Sequence, residues 1–511
     1  MKRILCITLF AILNWQNTYS QTFTDSIFCC DIIEQDSTCV TISLNDKLDR
    51  EQKKNLRVLT IPSIVHHNDN VFKVEALSEY GFSGNCDIHE IVIEEGVKTI
   101  SKGCFSNNLS LEKITIPSST HIIEEGILSN CNQLTSIIVD GNNQYYDSRD
   151  NCNAIIESAS NKIVSGCNNT IISSSLQSIG KRAFSSCFHI ESVNLPEGLL
   201  TIECESFLNC INLQEIVIPE SCKRIDGDSF KGCQSLEAVN IPQNVSEIDY
   251  NPFTNCPKLQ KITVDSRNKC FDSREGCNAI IRSNIHQLIA GCQTTVIPDD
   301  VTQIEMFAFA GTPFLSEVHI GKNIQKIDNG AFANVLCIKK IIVSEENKIY
   351  DSRDQSNCII ETKSNRIICG GLGFKIPQTA TSIANYAFWG SILPECFYLP
   401  DNIEKIGYFA FAYSLNMKKL IIPSSVSYIG TQAFKGCHEL QSVEIDSNNI
   451  SIGAACFEGC TNLSGIYMKE GIKTLPEFLF SGCSSLKHFY FPSSVGYIMH
   501  NTFEGCPFKS K

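Results

Sequence analysis

The sequence has no basic excess, no second long apolar run and no catalytic motif in a fitting context, and each absence removes a class of function. With 42 Lys and Arg against 55 Asp and Glu, the formal charge is −13 and the pI near 5.3. A nucleic-acid or anionic-membrane partner would call for a basic face. After the first 20 residues, nothing approaches the roughly 20 consecutive apolar residues that a membrane-crossing helix requires. Nucleophile-elbow, HExxH, GxGxxG and Walker patterns are missing; Gly81-Phe-Ser-Gly84 is one residue short of an elbow. Among 27 cysteines there is no CxxC pair of the kind that holds zinc. The histidines fall at unrelated positions, so no enzyme, metal or cofactor is expected.

What is present is a repeat. Val-x-x-Ile-Gly-x-x-Ala-Phe-x-Gly-Cys-x-x-Leu-x-x-Val-x-Ile is clearest from Val426 and is echoed from Val245. Its Phe, or Leu128 in that place, occurs fifteen times from Phe82 to Phe503, with a step of 23 eleven times and of 56 three times. Counting from that Phe, apolar residues fall at +6, +9, +11, +15 and +18, with Cys or a small residue at +3. Alternation at +9 and +11 reads as one short strand with a single buried face, ended by a Pro at +12 in many coils (Pro196, Pro219, Pro242, Pro423). One coil alone buries too little to offset the entropy of ordering it. Stacked coils cover one another's apolar edges. The expected fold is a β-rich solenoid of 23-residue coils sharing one parallel sheet.

The unit, with IPSSV, IG..AF.GC and L..V.IP as in Ile422–Ile445, resembles the BspA-like, or Treponema-type, leucine-rich repeats of surface proteins, from about Leu59 to Phe508. The resemblance implies a curved leucine-rich-repeat array and an adhesive or ligand-binding role. It transfers fold more safely than partner.

Residues 1–20 read as a secretory signal: Lys2 and Arg3, an apolar core from Ile4 to Leu13, then Thr18-Tyr-Ser20. Residues 21–55 lack the period, and their β-like runs Ser26–Ile33 and Thr38–Leu44 suit a cap over the first coil; the array then occupies 56–511. His66-His67 is read as part of a hairpin turn rather than a metal site.

Each long step holds 33 additional residues, giving inserts near 141–173, 266–298 and 345–377. All begin alike, Tyr146-Asp-Ser-Arg-Asp150, Phe271-Asp-Ser-Arg-Glu275 and Tyr350-Asp-Ser-Arg-Asp354, and continue as two apolar runs around a polar turn. From the Asp, cysteines fall at +5 and +20 in the first two (Cys152/Cys167, Cys277/Cys292) and at +7 and +18 in the third (Cys358/Cys369), a constant sum of 25. Facing residues of an antiparallel hairpin keep a constant index sum. The inserts are therefore expected to be β-hairpins, each with a cross-strand disulfide whose loop of about 15 residues would contribute about 3 kcal/mol. Asp-Ser-Arg is read as fixing a turn rather than binding calcium. The nine cysteines at +3, from Cys131 to Cys506, point the same way in neighbouring coils and are read as buried thiols.

With chemistry excluded, the surface remains. Residues at +8 and +10 leave the core and pave one face. In the C-terminal third, Tyr398, Tyr467 and Tyr490 at +10, with His488 at +8, are the candidate ligand-binding residues. Sequons mark Asn108, Asn168, Asn244, Asn449 and Asn462 as candidate glycosylation sites. The last coil stops after Phe503 without a polar cap, an open edge read as a self-associating end, a frayed last coil or a place where a partner docks. The reading is a secreted or cell-surface, non-enzymatic adhesin that contacts proteins or glycans on host or microbial surfaces. The rivals are a self-assembling scaffold of the cell coat and an extracellular inhibitor or decoy.

Overall fold

The computed structural model describes residues 22–487, 489–490 and 492–507. The proposed signal segment and His488 lie outside them. The chain divides into two compact units, one ending at Ser148 and one beginning at Arg149. In both, the chain winds in coils of 23 residues, and the described residues hold one short α-helix, Arg50–Lys54, capped by Asp49.

Ahead of the first coil, Thr22–Thr24, Phe28–Ile33 and Asp36–Leu44 form an antiparallel meander, whose last strand pairs in parallel with Asn70–Leu77. Ile64–His67 turns back onto Asn70–Leu77 through Asn68 and Asp69, both at positive φ. The hairpin expected here is present, with its two-residue turn at Asn68-Asp69 and with His66 and His67 in the strand that leads into it.

Three hydrogen-bonded ladders hold coil to coil. The first is the strand at +8 to +11, as in Leu420, Val443 and Ile466, which are partners in register. This parallel sheet occurs in segments of four, two, two, two and four strands. The second ladder consists of two-residue strands at −6 and −5, such as Ser178-Ile179, Thr201-Ile202 and Arg224-Ile225. The third has no strand at all. The amides at −2, 0 and +2 donate to carbonyls of the next coil, as Tyr386 to Tyr408 (3.1 Å), Phe388 to Ala410 (2.7 Å) and Gly390 to Ala412 (2.9 Å).

This third ladder needs left-handed backbone at two places per coil. The residue at +2 has positive φ in all fifteen coils, and the residue at −2 in fourteen. Gly and Asn are frequent there because they tolerate that region. The exception is Asn251, which precedes Pro252, and a residue before proline is pushed toward extended backbone. Its buried side chain replaces the missing link: Oδ1 accepts from the Phe253 amide at 2.8 Å, and Nδ2 donates to the Phe307 and Ala308 carbonyls at 3.0 Å.

Inside, the repeated Phe rings stack. Phe184, Phe207, Phe230 and Phe253 lie 5.2–5.4 Å apart at 12° or less. A second row runs from Phe388 through Phe411, Phe434 and Phe457 to Phe480. Beside them, the cysteines at +3 do more than fill space. Cys210 donates to the Phe184 carbonyl at 3.1 Å, and the same bond recurs from Cys131, Cys233, Cys256, Cys437, Cys460, Cys483 and Cys506. Ser414 makes it with a hydroxyl. Burial pushes the thiols of Cys131, Cys210 and Cys256 up to about 12.

The inserts are β-hairpins. Their return strands Lys162–Ser165, Gln287–Gly291 and Arg366–Gly370 pair in parallel with the second-ladder strands of the following coil. The sulfur pairing requires correction. Each hairpin carries a bulge in its return strand, so the constant index sum holds only near the turn. Beyond the bulge Cys358 faces Gly370 and Cys369 faces Ile359, which turns the two sulfurs away from each other. Cys277, Cys292, Cys358 and Cys369 are separate thiols. In the first hairpin the bulge falls between Cys152 and Cys167 in the same way, and the Cys167 thiol lies 3.6 Å from the Asn153 carbonyl.

The Asp-Ser-Arg segment makes a turn. The Asp351 carboxylate receives the Arg353 amide (3.1 Å) and Nε (2.8 Å), a second guanidinium contact, and the Thr362 hydroxyl (2.9 Å). Four residues before each such Asp stands an Asn that ties the insert to the previous coil. Asn143, Asn268 and Asn347 each donate to two carbonyls of that coil and accept from the backbone ahead. The hydroxyls of Tyr146 and Tyr350 accept from the amides of Ile123 (2.9 Å) and Ile327 (2.8 Å), where another coil's strand would otherwise bond.

Candidate binding surface

The face expected to bind is built by the first ladder. Alternation places Phe397, Leu420, Val443 and Ile466 inward and Tyr398, Ile421, Glu444 and Tyr467 outward. Those four outward residues are successive partners across one four-stranded sheet. Tyr398 and Tyr467 therefore share a row without touching, three strand spacings of about 4.8 Å apart. They are 60 % and 57 % exposed, and Tyr490, outside any strand, is 86 % exposed. Lys419 and Glu444 form an ion pair at 3.6 Å on the same face.

Sequence reasoning missed three clefts on this face. Where an insert interrupts the sheet, the segment after the hairpin and the next strand leave a hollow. The three hollows have volumes of about 410, 410 and 400 Å³. They are lined by matching segments: Thr170–Ile172 with Glu191–Asn194, Thr295–Ile297 with Ser316–His319, and Lys375–Ile376 with Cys396–Tyr398. Tyr398 thus forms one wall of the third cleft, together with Phe374 and Phe397. The 56-residue step signalled an insert but not that the sheet would open beside it.

The sequons separate by burial. Asn244, Asn449 and Asn462 are exposed, and Asn168 is half-buried with its carbonyl oxygen accepting from the His189 amide. Asn108 is fully buried. Its Nδ2 donates to the carbonyls of Phe82 (2.9 Å) and Phe105 (2.7 Å), and its Oδ1 accepts from the Asn85 amide. It occupies the +3 place and does there what cysteine does elsewhere, so it is no glycan acceptor in the folded chain. Among the described residues, no group of three or more His, Cys, Asp or Glu is arranged to hold a metal, and no helix is long and apolar enough to cross a membrane.

A family model described as BspA type leucine rich repeat region (6 copies) matches residues 60–162, 155–275, 279–364 and 381–510. Among solved structures, a leucine-rich-repeat protein of Bacteroides ovatus is similar at 20 % identity, covering 93 % of this chain and 99 % of its own, with a TM-score of 0.32. A leucine-rich cell surface protein of Faecalibacterium prausnitzii matches at 20 % identity over 95 % and 86 % of the two chains, TM-score 0.28. The leucine-rich-repeat protein of T. pallidum matches at 18 % identity over 47 % and 91 %, TM-score 0.27. No curated protein matches.

Proposed function

Because this chain belongs to the BspA-type leucine-rich-repeat family, we propose that it is an exported or surface-held binding protein, an adhesin whose sheet face contacts proteins or glycans on other cells or matrix. The observation that carries this reading is the row Tyr398, Ile421, Glu444 and Tyr467, solvent-facing, in register and opening at one end into a cleft of about 400 Å³. Exposed tyrosines offer large contact area at low entropic cost and are common anchors of interfaces. The mixture of apolar, acidic and aromatic groups suits a protein or glycan better than a polyanion. Tyr490, 86 % exposed, extends the proposed surface beyond the last strand of that sheet, and His488 remains a candidate from the sequence alone. The test is saturable binding of the purified chain to epithelial cells and immobilised matrix proteins. Alanine at Tyr398, Tyr467 and Tyr490 together should weaken binding at least tenfold; undiminished binding would refute the reading. Reversible self-association on sedimentation, without cell binding, would favour a scaffold instead.

A further inference from the structure

A second surface, on the corner of the coil where the third ladder runs, carries aromatic rings at positions that strain their backbone. At −2, where other coils place Gly103, Gly126, Asp228, Gly330 or Asn501, stand Phe307, Tyr386 and Phe409, with φ of 59°, 60° and 53°. Left-handed backbone on bulky side chains costs roughly 1–3 kcal/mol each and persists where something over-determines it. The rings are not buried in the core; they are half-exposed. Tyr386 and Phe409 stack at 5.2 Å and 5°, and Trp389 lies 5.4 Å from Tyr386 and 6.2 Å from Phe307. Between Phe307 and Tyr386 in the stack is Gly330, where a Cβ would come within 2.6 Å of the Phe307 ring. The missing side chain lets those two rings meet edge to face at 5.3 Å.

This aromatic wall borders a cavity of about 230 Å³. Ala310 and Ala333 line it alongside Phe307 and Trp389, and Asp228, Lys231, Asn255 and Asn334 belong to the same lining. The Asp228 carboxylate accepts from the Thr254 hydroxyl and pairs with Lys231 at 3.0 Å, which leaves acceptor capacity on its oxygens. The Asn334 amide donates to Asn255 Oδ1 at 3.2 Å, leaving the Asn334 carbonyl and the Asn255 amino group uncommitted. Aromatic rings lining one cavity with a carboxylate, an ammonium and two carboxamides match one kind of ligand. A pyranose ring presents apolar C–H groups on one face and a rim of hydroxyls that both donate and accept.

We infer that this cavity is a sugar-binding site, in which a pyranose ring of a glycan stacks on Trp389 and Phe307 while Asp228, Lys231, Asn255 and Asn334 bond its hydroxyls. The inference rests on the reading of the chain as a binding protein but uses a different face, so the tyrosine-row variant of the adhesion test leaves it untouched.

Trp389 makes the test direct, since the sequence has two tryptophans and the other is Trp15. In a chain carrying Trp15→Phe, emission should shift saturably with at least one of the methyl glycosides of glucose, galactose, mannose, N-acetylglucosamine and N-acetylgalactosamine. Asp228→Asn and Phe307→Asn should each weaken that binding tenfold or more. Asn fills the same offset at 501 with φ 54°, so the second change keeps the backbone. The tyrosine-row variant should bind the same sugar normally. No saturable response to any of the five sugars, a response to choline in their place, or a sugar response indifferent to both substitutions would overturn the assignment.

Discussion

Removing one ring from the interior row has a calculable and local consequence. Phe207 is fully buried and lies between Phe184 at 5.2 Å and Phe230 at 5.3 Å, nearly parallel to both. Phe207→Ala deletes that packing and opens a cavity that flanking coils cannot close, because the ladders fix their spacing; the expected loss is about 3–5 kcal/mol. Phe207→Leu, the residue that the coil of Leu128 carries naturally, should cost about half as much. In a stacked array the damage reaches nearest neighbours first. The amides of Phe184, Phe207 and Phe230, bonded to Ser206, Ser229 and Pro252 carbonyls at 2.8–2.9 Å, should exchange with solvent roughly a hundredfold faster or more. Those of Phe411 and Phe434 should be unchanged. Native-state hydrogen exchange reads this residue by residue. A loss below about 1 kcal/mol, or acceleration spread evenly over the chain, would refute the reasoning.

Thiol chemistry should follow burial: maleimide should label the exposed Cys86 and Cys396 in the folded chain and spare Cys210 and Cys256 until denaturant is added. An unreduced peptide map should show no Cys358–Cys369 link. In a glycosylating host, mass spectrometry should find Asn108 bare whatever the occupancy of Asn244, Asn449 and Asn462. Burial works to raise the Asp351 carboxyl, but the Arg353 and Thr362 hydrogen bonds outweigh it and hold it below the usual range. Its stabilising contribution is therefore full above the unfolded pKa of about 4 and lost as pH falls through the lower folded value. Asp351→Asn should flatten that part of an acid-unfolding curve and leave stability above pH 6 only modestly reduced.

The winding was legible because its marker is large and periodic: one ring every 23 residues, with a step of 56 wherever a hairpin intervenes. The second ladder was not, since two-residue strands such as Thr201-Ile202 give no alternation to detect. The third ladder left only the recurrence of Gly and Asn at −2 and +2. That trace is blurred because the array also places Phe307, Tyr386 and Phe409 there, which local preference would forbid. Cysteine spacing revealed the hairpins correctly and misled on the sulfurs, because a bulge shifts the register by one without any mark in composition. On the binding face, alternation sufficed to point Tyr398 and Tyr467 outward, whereas the clefts arise only where an insert displaces a coil. The corner cavity draws residues from coils far apart in sequence, and no local pattern could assemble Asp228 with Trp389.

The coils are interchangeable layers, and removing one tests that most directly. Deleting Glu205–Gly227, 23 residues, joins Cys204 to Asp228 in the register that the two ends already hold. Phe184 would then stack on Phe230. The shortened chain should keep its β circular dichroism and a cooperative unfolding transition, while deleting only 205–216 should abolish both. If the two deletions behave alike, the layers are not equivalent and the account is wrong.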